Sequence, residues 1–155
     1  METGIVGADV LQTSTSLKFR LGAECTVGDA TYKYVKAGTA VTANKFSFIN
    51  ATTTYTHTVD HLTTGAVGSS LVLQVCCPQV SIAASSYGWV VVKGLFTGFI
   101  GASCVQGVKL YTTATTGMLD DASTTYVEGV VLITTVSAAN QNALVYAFKE
   151  MSVNN

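Results

Sequence analysis

The chain is short of charge. Lys, Arg, Asp and Glu make up 11% of its 155 residues, where a soluble domain usually carries about 25%. With 8 Lys+Arg against 9 Asp+Glu there is no basic surplus, which excludes a protein that holds nucleic acid by its phosphates. Disorder is excluded as well, because it needs low hydrophobicity with high net charge, and this chain is 48% hydrophobic with a net charge of -1. Helix signals are scarce: Glu is rare, and no long window keeps apolar residues at the 3, 4 and 7 spacing. No Cys-x-x-Cys pair occurs among Cys25, Cys76, Cys77 and Cys104, so zinc and thioredoxin-like chemistry has no framework. The start, Met1 to Val6, lacks the basic and long apolar regions of a secretory signal. The stretch from Tyr87 to Val108 holds only Lys93 as a charge, but also Gly88, Gly94, Gly98, Gly101 and Gly107. A central Lys costs about 3 kcal/mol in a membrane, so two strands with a glycine-rich connection are expected there and no membrane span.

What fills the space left by charge is Thr, Ser, Gly and Ala, with Thr alone at about two dozen. Strand signals recur along the chain. Tyr32 to Lys36 and Lys45 to Ile49 alternate apolar and polar residues. From Thr52 to Val59 every even position is Thr. Leu71 to Cys76 is a short apolar run before Pro78, which is expected to mark an edge or bulge. Trp89 to Val92 has the pattern of a strand buried on both faces. Tyr126 to Val136, with a bend expected at Gly129, and Ala143 to Phe148 complete the set. Strands this closely spaced without helical crossovers predict an all-β chain: a single-domain antiparallel β-barrel or sandwich. Residues 1–17 show weak periodicity and read as an extended N-terminal arm, leaving 18–155 as the β-rich body. The four cysteines read as reduced, buried small hydrophobes; a Cys25–Cys104 pairing is also compatible with the spacing.

Residues that could carry chemistry do not combine. His57 and His61 flank Asp60 at a spacing that matters on a helix but not on a strand and turn. Asp120 and Asp121 are adjacent and read as a turn with Asx-type capping. There is no Gly-x-Ser-x-Gly elbow, and Gly4 to Gly7 precedes no strand that would make it a phosphate loop. No catalytic, cofactor or metal residue is therefore assigned, and no enzyme activity is expected. Lys18 and Arg20 flank Phe19, giving a small basic face at the junction of arm and body. Tyr32, Tyr34, Phe46, Phe48, Trp89 and Phe148 are expected to pack within the sheets.

Four segments in order carry a resemblance. They are Phe19-Arg20-Leu21-Gly22 with Gly28 to Gly38; Val75 to Ala83 running into Tyr87-Gly88-Trp89-Val90; Val108 to Asp121, containing Lys109-Leu110-Tyr111-Thr112-Thr113; and Glu128-Gly129-Val130-Val131-Leu132. Together they resemble the capsid decoration (cement) proteins of tailed bacteriophages. Cys76-Cys77-Pro78 departs from that pattern, and 51–70 has no counterpart in it. The resemblance implies a structural protein without catalysis, made in the host cytoplasm and bound to the exterior of the phage head. It implies a homotrimer clamping subunits of the major capsid protein, with an arm that adds a strand to its partner. On that reading the capsid-contact candidates are Ile5, Val6, Val10, Leu11, Leu17, Lys18 and Arg20. The rival reading is another virion module, in a tail, a fibre or a glycan-binding head surface, with an aromatic cluster near Trp89 exposed to sugar. The low charge then reads as the mark of Thr-rich faces covered by a partner.

Overall fold

A computed structural model describes residues 7–50, 57–67, 74–122 and 125–154. The chain is all-β. The strands are β1 (Glu24–Val27), β2 (Ala30–Ala37), β3 (Ser47–Asn50) and β4 (Thr58–His61). One helical turn, α1 (Thr64–Val67), follows; the Thr63 hydroxyl caps it by accepting from the Ala66 N–H at 3.1 Å. Then come β5 (Gln74–Pro78), β6 (Tyr87–Ile100), β7 (Lys109–Thr112), β8 (Leu119–Asp120), β9 (Tyr126–Leu132) and β10 (Gln141–Asn154). No helix among the described residues is long and apolar enough to cross a membrane.

All ten strands belong to one sheet, ordered β1-β2-β4-β3-β5-β10-β6-β8-β7-β9 with further pairings β2–β6, β5–β6 and β10–β9. The sheet is mixed rather than purely antiparallel, because β2–β4 and β6–β8 run parallel. The pairings close on themselves twice. One circuit runs β2–β4–β3–β5–β6 and back to β2. The other runs β6–β8–β7–β9–β10 and back to β6. The long β6 belongs to both.

The core follows from these circuits. Val35, Ala37, Ile49, Val59, Cys76, Val90 and Val92 come from the five strands of the first circuit and form one buried cluster with Val41 and Ile82. A larger cluster holds Ile100, Leu110, Leu119, Val127, Val130, Leu132, Val145 and Met151 from the second circuit. It continues through Phe46, Phe48, Val75 and Val91. The run Trp89 to Val92 is buried throughout, as its unbroken apolar pattern predicts.

Two sequence expectations change. The glycine-rich stretch after Tyr87 is one fourteen-residue strand as far as Ile100, not two strands with a break among the glycines. Pro78 ends β5 opposite Val90. It has no N–H to give, while its carbonyl accepts from the Asn44 N–H at 2.7 Å. Of the run from Thr52, residues 52–56 lie outside the described residues, and β4 carries its last two. The exposed threonines Thr39, Thr42, Thr115, Thr116, Thr134 and Thr135 lie in connections rather than on strand faces. Their abundance there marks polar loops, so a partner-covered Thr face does not account for them.

All four cysteines are free and buried. Burial pushes the thiols of Cys76 and Cys77 well above their ordinary range, and Cys104 is raised to about 12, again chiefly by burial. Thiolate is the reactive form. The folded protein is therefore expected to give almost no colour with an aromatic disulfide reagent at pH 8, and four equivalents once unfolded in denaturant. Rapid reaction of one or more thiols in the folded state would contradict this burial.

Candidate functional site

Two features meet at the junction between the N-terminal segment and the body: a basic pair outside and an aromatic cluster inside. Phe19 is half-buried while Lys18 and Arg20 are exposed, the alternation of an extended strand. The Phe19 ring packs edge-on against Tyr34 at 5.2 Å and at a tilt against Trp89 at 5.3 Å. Tyr34 and Trp89 are themselves 5.0 Å apart, and Tyr87 stacks on Tyr34 at 6.2 Å. Aromatic pairs at these distances add about 1 kcal/mol each to the burial of their area. The Tyr34 hydroxyl accepts from the Lys18 N–H at 3.3 Å, which ties the segment to β2.

Further toward the N-terminus the chain folds back on this bed. The Asp9 carboxylate accepts from the Leu11 N–H at 3.0 Å, and its carbonyl accepts from the Gln12 N–H at 3.1 Å. This Asx turn aims Val10 inward. Val10 is buried in a cluster with Cys25, Tyr34 and Trp89. Ser14 then pairs antiparallel with Tyr87 through two backbone hydrogen bonds of 2.9 and 2.7 Å. Residues 7–20 are thus laid along the body. Asp9 before the apolar pair Val10-Leu11 is the signal in the sequence that marks the turn.

The contact candidates separate accordingly. Leu11 and Leu17 are 57% and 56% exposed, and Lys18 and Arg20 also face out. Val10 faces in and is occupied by the body's own aromatic residues. Ile5 and Val6 lie outside the described residues. Between segment and body an open cavity of about 340 Å³ is lined by Asp9, Gln12, Lys18, Phe19, Tyr34 and Trp89 among others. Trp89 and Tyr34 are only 1% and 2% exposed. Their ring faces are covered by neighbours and offer a sugar no stacking surface.

The other sequence candidates do not assemble into a reactive centre. His57 sits at φ 40°, with its ring against the space where a Gly22 side chain would stand. His61 is on β4 opposite Ser47. Its pKa is lowered by burial and by Lys45, with Asp60 pulling the other way. The Asp60 carboxylate accepts from both the Thr39 N–H and its hydroxyl, at 3.1 and 2.9 Å, so it holds a turn rather than activating a histidine.

Asp120 and Asp121 acquire a neighbour that spacing alone did not reveal. The Cys104 thiol donates to an Asp120 carboxylate oxygen at 3.4 Å, and the potential ligand atoms of all three residues lie within 4.8 Å of one another. The buried thiol holds its proton, so this grouping is a hydrogen-bonded brace between the β6–β7 connection and β8. The Asp121 pKa is raised, first by desolvation and then by the Asp120 carboxyl. A raised carboxyl pKa means the native state binds more protons than the unfolded chain just above the ordinary carboxylate range. Stability therefore falls as pH rises through that window. Asp121→Asn is expected to raise Tm slightly at neutral pH, with the gain vanishing below the ordinary carboxylate range. A Tm difference that is flat with pH would contradict it.

Phe148, expected within the packing, is instead 50% exposed. Tyr146 on the same strand and Leu95 opposite it on β6 are also exposed. The sequence pattern did not single out this outer apolar face. No family model, curated protein or solved structure matches the chain.

Proposed function

We propose that the chain is a structural capsid decoration protein, acting as a homotrimer on the outside of a tailed-phage head and clamping subunits of the major capsid protein without catalysis. The observation that carries this reading is the set of four ordered segments between Phe19 and Leu132 that resemble such proteins. Two features of the molecule agree with it. Charged residues are only 11% of the sequence, so much of the surface can be covered with little desolvation of charge. The N-terminal segment also presents Leu11, Leu17, Lys18 and Arg20 outward beside a short backbone pairing.

The mechanism is physical rather than chemical. A trimer touching several shell subunits multiplies modest contacts through effective concentration. Binding the expanded shell in preference to its precursor stabilises the expanded form by mass action. The test is sedimentation of purified protein with undecorated capsids. Saturable binding to expanded capsids and little to precursor shells is expected. Absence of binding to either rejects the proposal. The glycan-binding alternative is disfavoured by the covered rings of Trp89 and Tyr34.

A further inference from the structure

We infer that the outer face of β6, β9 and β10 is a docking surface for a protein surface whose apolar centre is ringed by carboxylates. This inference rests on the capsid reading, where that surface belongs to the shell, and it assigns contact to residues outside the N-terminal segment.

The strand register builds the face. Tyr146 on β10 lies opposite Leu95 on β6 and opposite Val131 on β9. Residues directly opposite on antiparallel strands share a face. Phe148 follows two positions after Tyr146 and is exposed like it, at the point where the β10–β9 register begins to shift after Ala147. Leu95, Tyr146 and Phe148 are 41%, 39% and 50% exposed. They are three of the seven large hydrophobic residues exposed among those described, and the register gathers them together. These strands are already paired within the sheet, so a partner here would be met by side chains and not by strand addition.

The rim decides what kind of partner fits. Lys109 on β7 lies opposite Val131, extending the row to Lys109–Val131–Tyr146–Leu95. Lys93 precedes Leu95 by two residues and is exposed. Among the described residues neither lysine has a carboxylate within ion-pairing distance; the Lys109 ammonium lies 5.5 Å from the centre of the Tyr126 ring. Of the acids on the same strands, Glu128 is paired with Lys149 at 2.6 Å, while Glu150 accepts from the neutral Gln74 side-chain amide at 2.6 Å and keeps its charge. Two lysines without an ion-pair partner against this one carboxylate leave the face positive on balance. A second copy docking through the same face would set lysine against lysine, which is unfavourable at an interface. A partner surface with carboxylates around an apolar patch answers both the centre and the rim. Three half-exposed side chains fill only part of the roughly 800 Å² that each side of a stable interface buries, so a partner must also cover the polar rim around them.

The test uses the full chain and undecorated expanded capsids, with binding measured by sedimentation over a range of salt. Lys93→Glu/Lys109→Glu is expected to weaken binding at least tenfold at low salt, with the gap to wild type narrowing as salt rises. Leu95→Ser/Phe148→Ser is expected to weaken it by a similar factor at all salt concentrations. Both should keep the wild-type circular dichroism and Tm, and Lys93→Gln/Lys109→Gln should fall between wild type and charge reversal. If wild type binds and either double variant binds equally well, the inference is overturned while the capsid reading stands. If wild type does not bind, the capsid reading fails and takes this inference with it. If the variants instead abolish self-association of the free protein, the occupant is a second copy and the inference is wrong.

Discussion

Replacing Gly94 with alanine is expected to destabilise the protein by about 3 kcal/mol, lowering Tm by about 10 °C. Gly94 lies in β6 where the strand passes from its pairing with β2 to its pairing with β10. Its φ of 100° is a conformation that side chains resist. A Cβ there would also run into the backbone of Asp29 and Ala30, which cannot swing aside as a flexible side chain can. The two strains act together, and both closed circuits depend on this strand. Gly28 provides the control. It too has positive φ, at 58°, but a Cβ would meet nothing within 4 Å. Gly28→Ala should therefore cost only the conformational part, about 1 kcal/mol. Equal losses from the two substitutions, read by thermal or denaturant unfolding, would show that the close approach at Gly94 does not matter.

Deleting Met1 to Leu17 is expected to reduce capsid binding at least tenfold while leaving the β fold in place. The strand circuits use none of these residues. What the deletion removes is Val10 from the aromatic cluster, the two Ser14–Tyr87 hydrogen bonds and the outward Leu11 and Leu17. Burying a Val contributes about 1.5 kcal/mol or more, and each hydrogen bond about 1 kcal/mol. Much of that is offset by the entropy of holding the segment in place, so the net loss should be about 1–3 kcal/mol. Trp89 is the only tryptophan and lies directly under the segment, so its emission should move to longer wavelength. Far-ultraviolet circular dichroism should change little. Unchanged affinity for capsids would remove the segment from the contact, and loss of the β signal would show that the body cannot fold without it.

The β class was legible because period-two alternation survives in isolated stretches such as Tyr32 to Lys36, which lies within β2. The buried run at Trp89 was legible because side chains on both faces of that part of β6 enter core clusters, Val90 and Val92 in one and Trp89 and Val91 in others, leaving no polar face. The continuity of β6 was not. Gly88, Gly94 and Gly98 read locally as breaks, yet each marks a place where another group comes close. The Ile82 side chain, the Asp29 backbone and the Phe46 ring occupy the spaces where their Cβ atoms would stand. Such approaches come from distant parts of the chain and leave no local trace beyond the glycine itself. The closure of the sheet into two circuits was hidden for the same reason, since β2–β6 and β10–β6 join residues far apart in sequence.

At the site, the alternation around Phe19 was readable, with the ring inward and Lys18 and Arg20 outward. The inward turn of Val10 depends on a bed made by Tyr34 and Trp89, and no window of sequence brings those together. The exposed row of Leu95 and Tyr146 was hidden differently. Each sits in an alternating strand whose other face is core, and only the register of β6 against β10 shows that the outward residues meet. The Cys104–Asp120 hydrogen bond likewise spans 16 residues and needed the fold to appear.

The central claim is that this chain caps junctions of a phage shell. A reconstruction of the mature particle, read beside the mass of the free protein in solution, tests it most directly. The expected result is a trimer in solution, with density for the two strand circuits outside the shell, touching more than one capsid subunit through the N-terminal segment and the outer face around Tyr146. Particles whose shell surface carries no such density, with the protein found instead in the tail or fibres, would contradict it.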